Sequence, residues 1–245
     1  MNLKEQFDEE KRMNIKSLGE DHSLKNLGIK FLVDSADKKY SYNFSWLGRP
    51  IIQLPQDMIA MQEIIWNTKP DLLIETGIAH GGSLIFYASL FEIIGKGQVV
   101  GIDIDIRPHN RKEIEKHPLY KRIKMIEGSS VSPEIIKKVS EYSKGKERIM
   151  VVLDSNHTHE HVFKELELYS PLVSKDSYLV VFDTVIEDMS EMGYVFPNRL
   201  WGKGNNPKTA VNEFLKTNPN FVIDNDIENK LLITVAPGGY LKKIK

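Results

Sequence analysis

Carboxylate side chains lie at or near the ends of four strongly apolar runs in the sequence. They are Glu75, Asp103, Asp154 and Asp183. The carboxyl ends of parallel strands form the ligand-binding edge of an open α/β sheet, so acids in these positions would converge on one crevice. Acids gathered there could bind a metal ion or the hydroxyl groups of a ligand.

Asp154 and Asp183 offer two hard oxygen ligands, the donor type that Mg²⁺ prefers. His157 lies three positions after Asp154 and could face the same crevice, where a neutral imidazole accepts a proton near pH 7. The alternative is that one acid caps a helix and the other is solvated. Two further histidines, His159 and His161, follow His157 at alternate positions. They lack the H-E-x-x-H order of zinc proteases and are equally well explained as solvated side chains at a helix start.

A glycine-rich segment, Gly77 to Ser83, follows the first apolar run. A glycine turn between a strand and a helix lets the backbone approach a ligand, and the helix N-terminus presents free N–H groups. The G-x-x-x-G-G spacing differs from the G-x-G-x-x-G of dinucleotide folds, and no P-loop lysine follows. Asp103, at the end of the second run, suits a ribose diol. The competing interpretations are a tight turn without a ligand, a role of Asp103 as a helix N-cap or turn acid, and a structural ion pair of Arg107 with Asp103 or Asp105.

The composition narrows the classes of function. The 245 residues include 33 Lys and Arg against 34 Asp and Glu, a net charge of −1 that argues against a general nucleic-acid binder. There is no cysteine, so a metal must be held by oxygen or imidazole, and disulfides and cysteine nucleophiles are excluded. No run approaches the roughly 18 apolar residues of a transmembrane segment, and the N-terminus lacks a secretory signal. We expect a soluble, cytoplasmic protein.

Apolar runs alternate with amphipathic segments, and these elements must position the acids. The runs predicted as strands are 71–76, 98–103, 122–127, 148–154, 177–183, 221–223 and 230–235. Apolar strands separated by helices indicate an α/β fold with a mostly parallel sheet covered on both faces. A helix is predicted over 83–94, stopped by Gly95, and Asp57 is expected to cap another. Residues 1–50 are predicted to form an N-terminal extension and residues 51–245 the main domain.

The ordered motifs resemble those of class I S-adenosylmethionine-dependent methyltransferases. They are the glycine segment after Glu75, then Asp103, then Glu127-Gly128-Ser129-Ser130, then Asp154. More narrowly, the chain is similar to the cephalosporin hydroxylase/rhamnosyl O-methyltransferase family over about residues 40–240. The sequence motifs that carry this likeness include Trp46-Leu47-Gly48, Gln53, Asp57, Gln62-Glu63, Ala79-His80-Gly81-Gly82-Ser83 and Ile102 to Asn110. The resemblance implies a Rossmann-like methyltransferase fold with a seven-stranded sheet and an N-terminal helical extension.

The resemblance also implies where S-adenosylmethionine would bind. The residues expected to hold its methionine part are Glu75, Gly77, Ala79 and Ser83. Asp103 would bind the ribose, and Ser129 and Ser130 would lie beside the adenine.

Metal-dependent relatives carry acids at the ends of the fourth and fifth strands, which correspond to Asp154 and Asp183. They carry a base three residues after the first acid, which is His157. Several relatives have two consecutive acids at the fifth strand, whereas here Phe182 precedes Asp183. Thr184 or water would then complete a Mg²⁺ site built on the two carboxylates, and Asp154 and His157 are the expected catalytic residues.

The predicted reaction is methyl transfer to a hydroxyl of a sugar, a glycolipid or polysaccharide, or another small natural product. The N-terminal segment and a loop over 193–207, with Trp201, Gly202 and Gly204, are expected to cover the acceptor. The expected partner is this acceptor, and binding of nucleic acid is not expected. The sequence also allows a homo-oligomer. Two alternatives stay open. One is a cofactor-binding or assembly protein that has lost catalysis, and the other is an NAD-dependent oxidoreductase.

Overall fold

A seven-stranded sheet organises the computed structural model, which describes residues 2–245. The sheet strands are β3 (Leu72–Thr76), β4 (Gln98–Asp103), β5 (Ile123–Glu127), β6 (Ile149–Leu153), β7 (Tyr178–Val181), β8 (Phe221–Ile223) and β9 (Tyr240–Lys243). Their spatial order is β5-β4-β3-β6-β7-β9-β8. The first five strands in this order are parallel, and β9 is antiparallel to both β7 and β8. The predicted mostly parallel sheet is confirmed.

Ten helices surround the sheet in the described part of the chain, and a short hairpin precedes it. The helices are α1 (Leu3–Glu20), α2 (His22–Ala36), α3 (Pro55–Thr68), α4 (Gly82–Ile94), α5 (Pro108–Glu115), α6 (Pro133–Ser143), α7 (His159–Tyr169), α8 (Val185–Glu191), α9 (Pro207–Thr217) and α10 (Asn225–Leu231). The hairpin pairs β1 (Phe44–Trp46) with β2 (Arg49–Ile51). No helix among residues 2–245 is long and apolar enough to cross a membrane.

Both faces of the sheet are buried, as the apolar strands predict. Every residue of β3 and β6 is buried. Because side chains alternate along a strand, each strand contributes to two cores. One core contains apolar residues of α3 and α4, and the other contains apolar residues of α6, α7 and α9. The parallel pairing of these strands places the carboxyl ends of β3, β4, β6 and β7 along one edge.

The N-terminal extension is helical, as expected, and packs onto the main domain. Asn2 and Glu5 form a capping box at the start of α1. Helix α1 packs against α10, and α2 packs against α8. Gly28 lets α2 approach the backbone closely, since a Cβ there would lie 2.3 Å from the carbonyl oxygen of Leu232. The close approach fixes the position of α2 beside the carboxyl edge of the sheet.

Two local predictions are wrong. The run 230–235 is not a strand, since it comprises the end of α10 and a bend in which Leu232 has φ 58°. The N–H of Val235 donates to Oδ2 of Asp57 rather than to a neighbouring strand. Asp57 itself does not cap α3 but is fully buried, where it also accepts hydrogen bonds from Thr234 and Tyr240. A short apolar run does not reveal such long-range partners.

Candidate functional site

Asp154, His157 and Asp183 form a compact group at the carboxyl ends of β6 and β7. One potential ligand atom from each side chain lies within 4.8 Å of those of the other two. Nε2 of His157 is 3.1 Å from Oδ2 of Asp183. Asp154 directly follows β6, where its N–H donates to the carbonyl of Thr76 in β3. The parallel pairing of neighbouring strands therefore brings together acids that are far apart in the chain.

The charge at this group is poorly compensated by the protein itself. Burial raises the pKa of Asp154 well above its ordinary value, and the negative charges of Asp183, Glu75 and Glu165 raise it further. One hydrogen bond acts in the opposite direction, because Nε2 of Gln53 donates to Oδ2 of Asp154 at 3.3 Å. Acids crowded in a poorly solvated site favour the binding of a cation.

Glu75 is a second buried acid at the same edge. Its Oε2 accepts a hydrogen bond of 2.6 Å from the hydroxyl of Ser83, which lies in the first turn of α4. Its Oε1 is buried without a partner among the described residues. Burial raises the pKa of Glu75 to about 8, although the hydrogen bond from Ser83 and the nearby hydroxyl of Tyr87 lower it. A buried carboxylate oxygen without a donor suits a cationic N–H group of a ligand.

The glycine segment after Glu75 is a tight loop held by Asp103. Oδ2 of Asp103 accepts hydrogen bonds from the backbone N–H groups of Ile78 at 2.8 Å and Ala79 at 3.2 Å. Gly77 has φ 92°, and a Cβ there would lie 2.0 Å from the carbonyl oxygen of Asp154. Glycine is required by this approach. The predicted ribose-binding acid therefore also shapes the loop expected to hold the methionine part of the cofactor.

Ser130, predicted to lie beside the adenine, belongs to a polar network behind the site. Its hydroxyl is 3.1 Å from Nε2 of His161. The hydroxyl of Ser155 contacts the same nitrogen and donates to Oε1 of the fully buried Glu165 at 2.8 Å. His161 is therefore anchored rather than freely solvated. Ser129 is partly buried in the preceding turn.

Two other residues raised by the sequence lie apart from the acid group. Thr184 is fully buried and donates its hydroxyl hydrogen to the carbonyl of Pro237, so the structure gives its predicted ligand role no support. His159 contacts the hydroxyl of Thr209 at 2.8 Å and a carboxylate oxygen of Glu213 at 3.2 Å. It joins α7 to α9 and takes no part in the acid group. The third side chain of the acid group is that of His157, whereas the sequence suggested Thr184.

A cavity of about 530 Å³ opens in front of Asp154, His157 and Asp183. Helix α2, the segment 39–42 and the segment 194–201 contribute to its walls. These are the N-terminal segment and the loop that the sequence suggested would cover an acceptor. The ring of Trp201 meets His157 edge to face, with 4.8 Å between the centroids. The cavity is therefore lined by aromatic and apolar side chains around a polar group, as expected for a small-ligand site.

Two contacts of the site were not assigned by the sequence. Gln53 contacts Asp154 across 101 positions of chain, and Trp201 packs on His157. Gln53 offered a signal, since it is a lone polar residue between Ile52 and Leu54 in a segment similar to the family.

The side chains present fit both groups that the resemblance implies. The two carboxylates of Asp154 and Asp183 offer the oxygen donors that suit Mg²⁺, and the imidazole of His157 lies beside them. The side chain of Phe182 is buried in the core, so the described residues offer two carboxylates here rather than three. The unpartnered Oε1 of Glu75 and the close approach of Gly77 fit the methionine end of S-adenosylmethionine.

Comparisons with known proteins identify the family of the chain. A family model described as Rhamnosyl O-methyltransferase/CmcI matches residues 38–244. The rhamnosyl O-methyltransferase of Mycobacterium bovis (strain BCG / Pasteur 1173P2) is 34% identical over 194 residues, covering 76% of this chain and 72% of the relative. That of Mycobacterium leprae (strain TN) is 31% identical over 222 residues, covering 86% and 90%.

Solved structures share the fold. A CmcI structure with Mg and SAM has a TM-score of 0.59 to this chain at 18% identity, covering 83% of this chain and 78% of the other. An apo structure of CmcI has a TM-score of 0.58 at 18% identity, covering 83% and 77%. At this identity the likeness shows a common fold alone.

Proposed function

Because the chain belongs to the rhamnosyl O-methyltransferase/CmcI family and is an S-adenosylmethionine-dependent O-methyltransferase, we propose that it methylates a sugar hydroxyl in a Mg²⁺-dependent reaction. Curated relatives named rhamnosyl O-methyltransferase support a sugar as the acceptor. The observation that carries the proposal is the group of Asp154, His157 and Asp183 on the floor of the cavity.

In this proposal Asp154 and Asp183 hold Mg²⁺, and His157 is the general base. Oδ2 of Asp183 contacts Nε2 of His157, which leaves Nδ1 of the ring to take the proton of the acceptor hydroxyl. Asp183 thereby restricts the direction of the imidazole. Trp201 restricts the ring from the cavity side. Gln53 orients the carboxylate of Asp154 through its amide N–H.

The loop after β3 is the proposed binding segment for the cofactor. When bound, S-adenosylmethionine supplies the methyl group, and Mg²⁺ stabilises the negative charge that develops on the hydroxyl oxygen. Glu75 would hold the methionine ammonium through Oε1, while the hydroxyl of Ser83 donates to its Oε2. Gly77 and Ala79 provide the close backbone surface, and Asp103 binds the ribose.

The remaining contribution of the protein is to position two reactants and exclude water. Ser129 and Ser130 would hold the purine end, and His161 supports Ser130 from behind. The acceptor occupies the cavity between α2 and the segment 194–201. Residues 1–50 thus form an extension that completes the acceptor site, while residues 51–245 form the methyltransferase domain.

The experiment uses the full chain with S-adenosylmethionine, Mg²⁺ and a panel of rhamnosides and other glycosides. The products are the methylated sugar, detected by mass spectrometry, and S-adenosylhomocysteine. We expect activity that EDTA abolishes and Mg²⁺ restores, with cofactor binding retained in EDTA. Full turnover in EDTA would refute the metal proposal. Cofactor binding without methylation of any glycoside would refute the proposed acceptor class.

A further inference from the structure

Two cationic side chains line the cavity, Lys39 and Arg199, and no described carboxylate lies within ion-pair distance of either. The other Asp, Glu, His, Lys or Arg side chains of the lining are those of Asp154, Asp183 and His157. The acids and the cations therefore line one cavity without forming ion pairs with each other.

Arg199 is connected to His157 through the side chain of Trp201. Its guanidinium carbon lies 4.9 Å from the ring centroid of Trp201, and Trp201 meets the imidazole of His157 edge to face. Stacking on an indole holds a guanidinium plane while leaving its N–H groups free to donate. A guanidinium held in this way is suited to bind a carboxylate or a phosphate through two parallel hydrogen bonds.

Lys39 provides a second positive charge on the wall formed by the segment 39–42. Its backbone has φ 51°, and its Nζ lies 6.0 Å from the ring centroid of Tyr42. In the proposed function, Mg²⁺ and the cofactor sulfonium offset the charges of Asp154 and Asp183. The charges of Lys39 and Arg199 then face the acceptor without compensation.

We propose that the acceptor is an anionic sugar, whose carboxylate or phosphate group is bound by Arg199 with Lys39 contributing positive charge. This inference rests on the proposed function and specifies its substrate class. The sugar ring lies against Trp201, so that a hydroxyl faces His157 while the anionic group faces the guanidinium. Arg199 is therefore a specificity-determining residue rather than a part of the proton-transfer machinery.

The test compares ligands that differ in charge. Methyl glucuronide and methyl glucoside differ at one carboxylate, and glucose 6-phosphate and glucose differ at one phosphate. Each is titrated into the full chain with Mg²⁺ and S-adenosylhomocysteine, and tryptophan fluorescence reports binding without turnover. We expect at least one anion to bind about tenfold or more tightly than its neutral partner. The stronger anion identifies carboxylate or phosphate as the preferred group.

Three variants locate the effect. Arg199→Gln should remove the preference for the anion, while the affinity for the neutral sugar stays close to that of the native chain. Arg199→Lys should keep only part of the preference for the anion. Lys203→Gln is the matched control, since this exposed cation of the same loop does not line the cavity. Equal binding of charged and neutral partners, or no binding of either anion, would overturn the inference. So would an Arg199→Gln variant that weakens both ligand types equally, because Arg199 would then act through Trp201.

The two levels of the proposal fail differently. If an anionic sugar binds through Arg199 but no acceptor is methylated with Mg²⁺ and S-adenosylmethionine, the proposed function fails and the anion site stands. If neutral glycosides are methylated as efficiently as anionic ones, the proposed function stands and the anion site fails.

Discussion

Nε2 of His157 lies 3.1 Å from Oδ2 of Asp183, so the proposed base is oriented by an acid proposed to hold the metal. The contact leaves Nδ1 available for the acceptor and couples metal binding to the direction of the imidazole. It also gives Asp183 a role that its position after β7 does not reveal.

Replacing His157 by alanine tests the base. His157→Ala should lower kcat about 10²- to 10⁴-fold, because the acceptor hydroxyl loses its proton acceptor. The affinity for S-adenosylmethionine, measured by calorimetry, should stay within about twofold. The matched control is His159→Ala, since His159 joins α7 to α9 and lies outside the acid group. Near-full activity of His157→Ala on the true acceptor would rule out the assignment.

Replacing Asp154 by asparagine tests the metal site. Asp154→Asn removes one of two proposed oxygen anions, so the Mg²⁺ concentration for half-maximal activity should rise about tenfold or more. Methyl transfer is measured across a Mg²⁺ titration after treatment with EDTA. Asp176→Asn is the control, because Asp176 is exposed at the turn before β7. An unchanged Mg²⁺ dependence in Asp154→Asn would place the metal elsewhere.

Cofactor binding should depend on pH through Glu75. The pKa of this buried carboxyl is raised to about 8 in the absence of ligand, mainly by burial. Pairing with a cationic ammonium requires the ionised form, so proton release should accompany binding below pH 8. The affinity should therefore increase as the pH rises from 6 to 8. Calorimetry in buffers of different ionisation enthalpy measures the released proton.

The variant Glu75→Gln isolates this effect. It should weaken S-adenosylmethionine binding about ten- to a hundredfold, because a charged hydrogen bond is lost. It should also abolish the pH dependence, since glutamine does not titrate. Ser83→Ala serves as the intermediate case, because it removes a hydrogen bond to Oε2 and keeps the carboxylate. A Glu75→Gln variant that binds the cofactor with the same pH profile as the native chain would contradict the role of Glu75.

The buried Asp57 should make stability depend on pH. Burial raises its pKa to about 6, whereas the ordinary value is 3.8. A raised folded-state pKa contributes stability below pH 4 that is lost as the pH rises to 6. The loss amounts to at most about 3 kcal/mol. Urea unfolding of the native chain and Asp57→Asn between pH 4 and 7 measures the difference. The stability of the variant relative to the native chain should increase across this interval, and a constant difference would refute the prediction.

Helix α2 should matter for the acceptor more than for the cofactor. Gly28→Ala places a Cβ against the carbonyl oxygen of Leu232, so α2 must shift away from the domain. Because α2 contributes Leu32, Ser35 and Ala36 to the cavity, KM for the acceptor should rise severalfold while cofactor affinity is retained. Asn26→Ala on the exposed face of the same helix is the control. Equal losses for both ligands would show general destabilisation instead.

The sequence alone predicted the mostly parallel sheet and placed four acids at its carboxyl edge. These inferences succeed because burial on both faces leaves a local signature, a continuous apolar run followed by a polar residue. The start and stop of α4 were also readable, since Gly95 in a left-handed conformation ends the helix locally. The same pattern failed for 230–235, where an apolar run packs as a bend.

Only the tertiary structure decided which groups meet. The contacts of Gln53 with Asp154, of Trp201 with His157 and of Asp57 with Val235 join segments far apart in sequence. No local pattern encodes them, because they depend on how loops fold over the sheet edge. The unpartnered Oε1 of Glu75 is likewise a property of the packed site. Periodicity records which side of an element is buried, whereas the chemistry of a site depends on the distances between side chains that packing brings together.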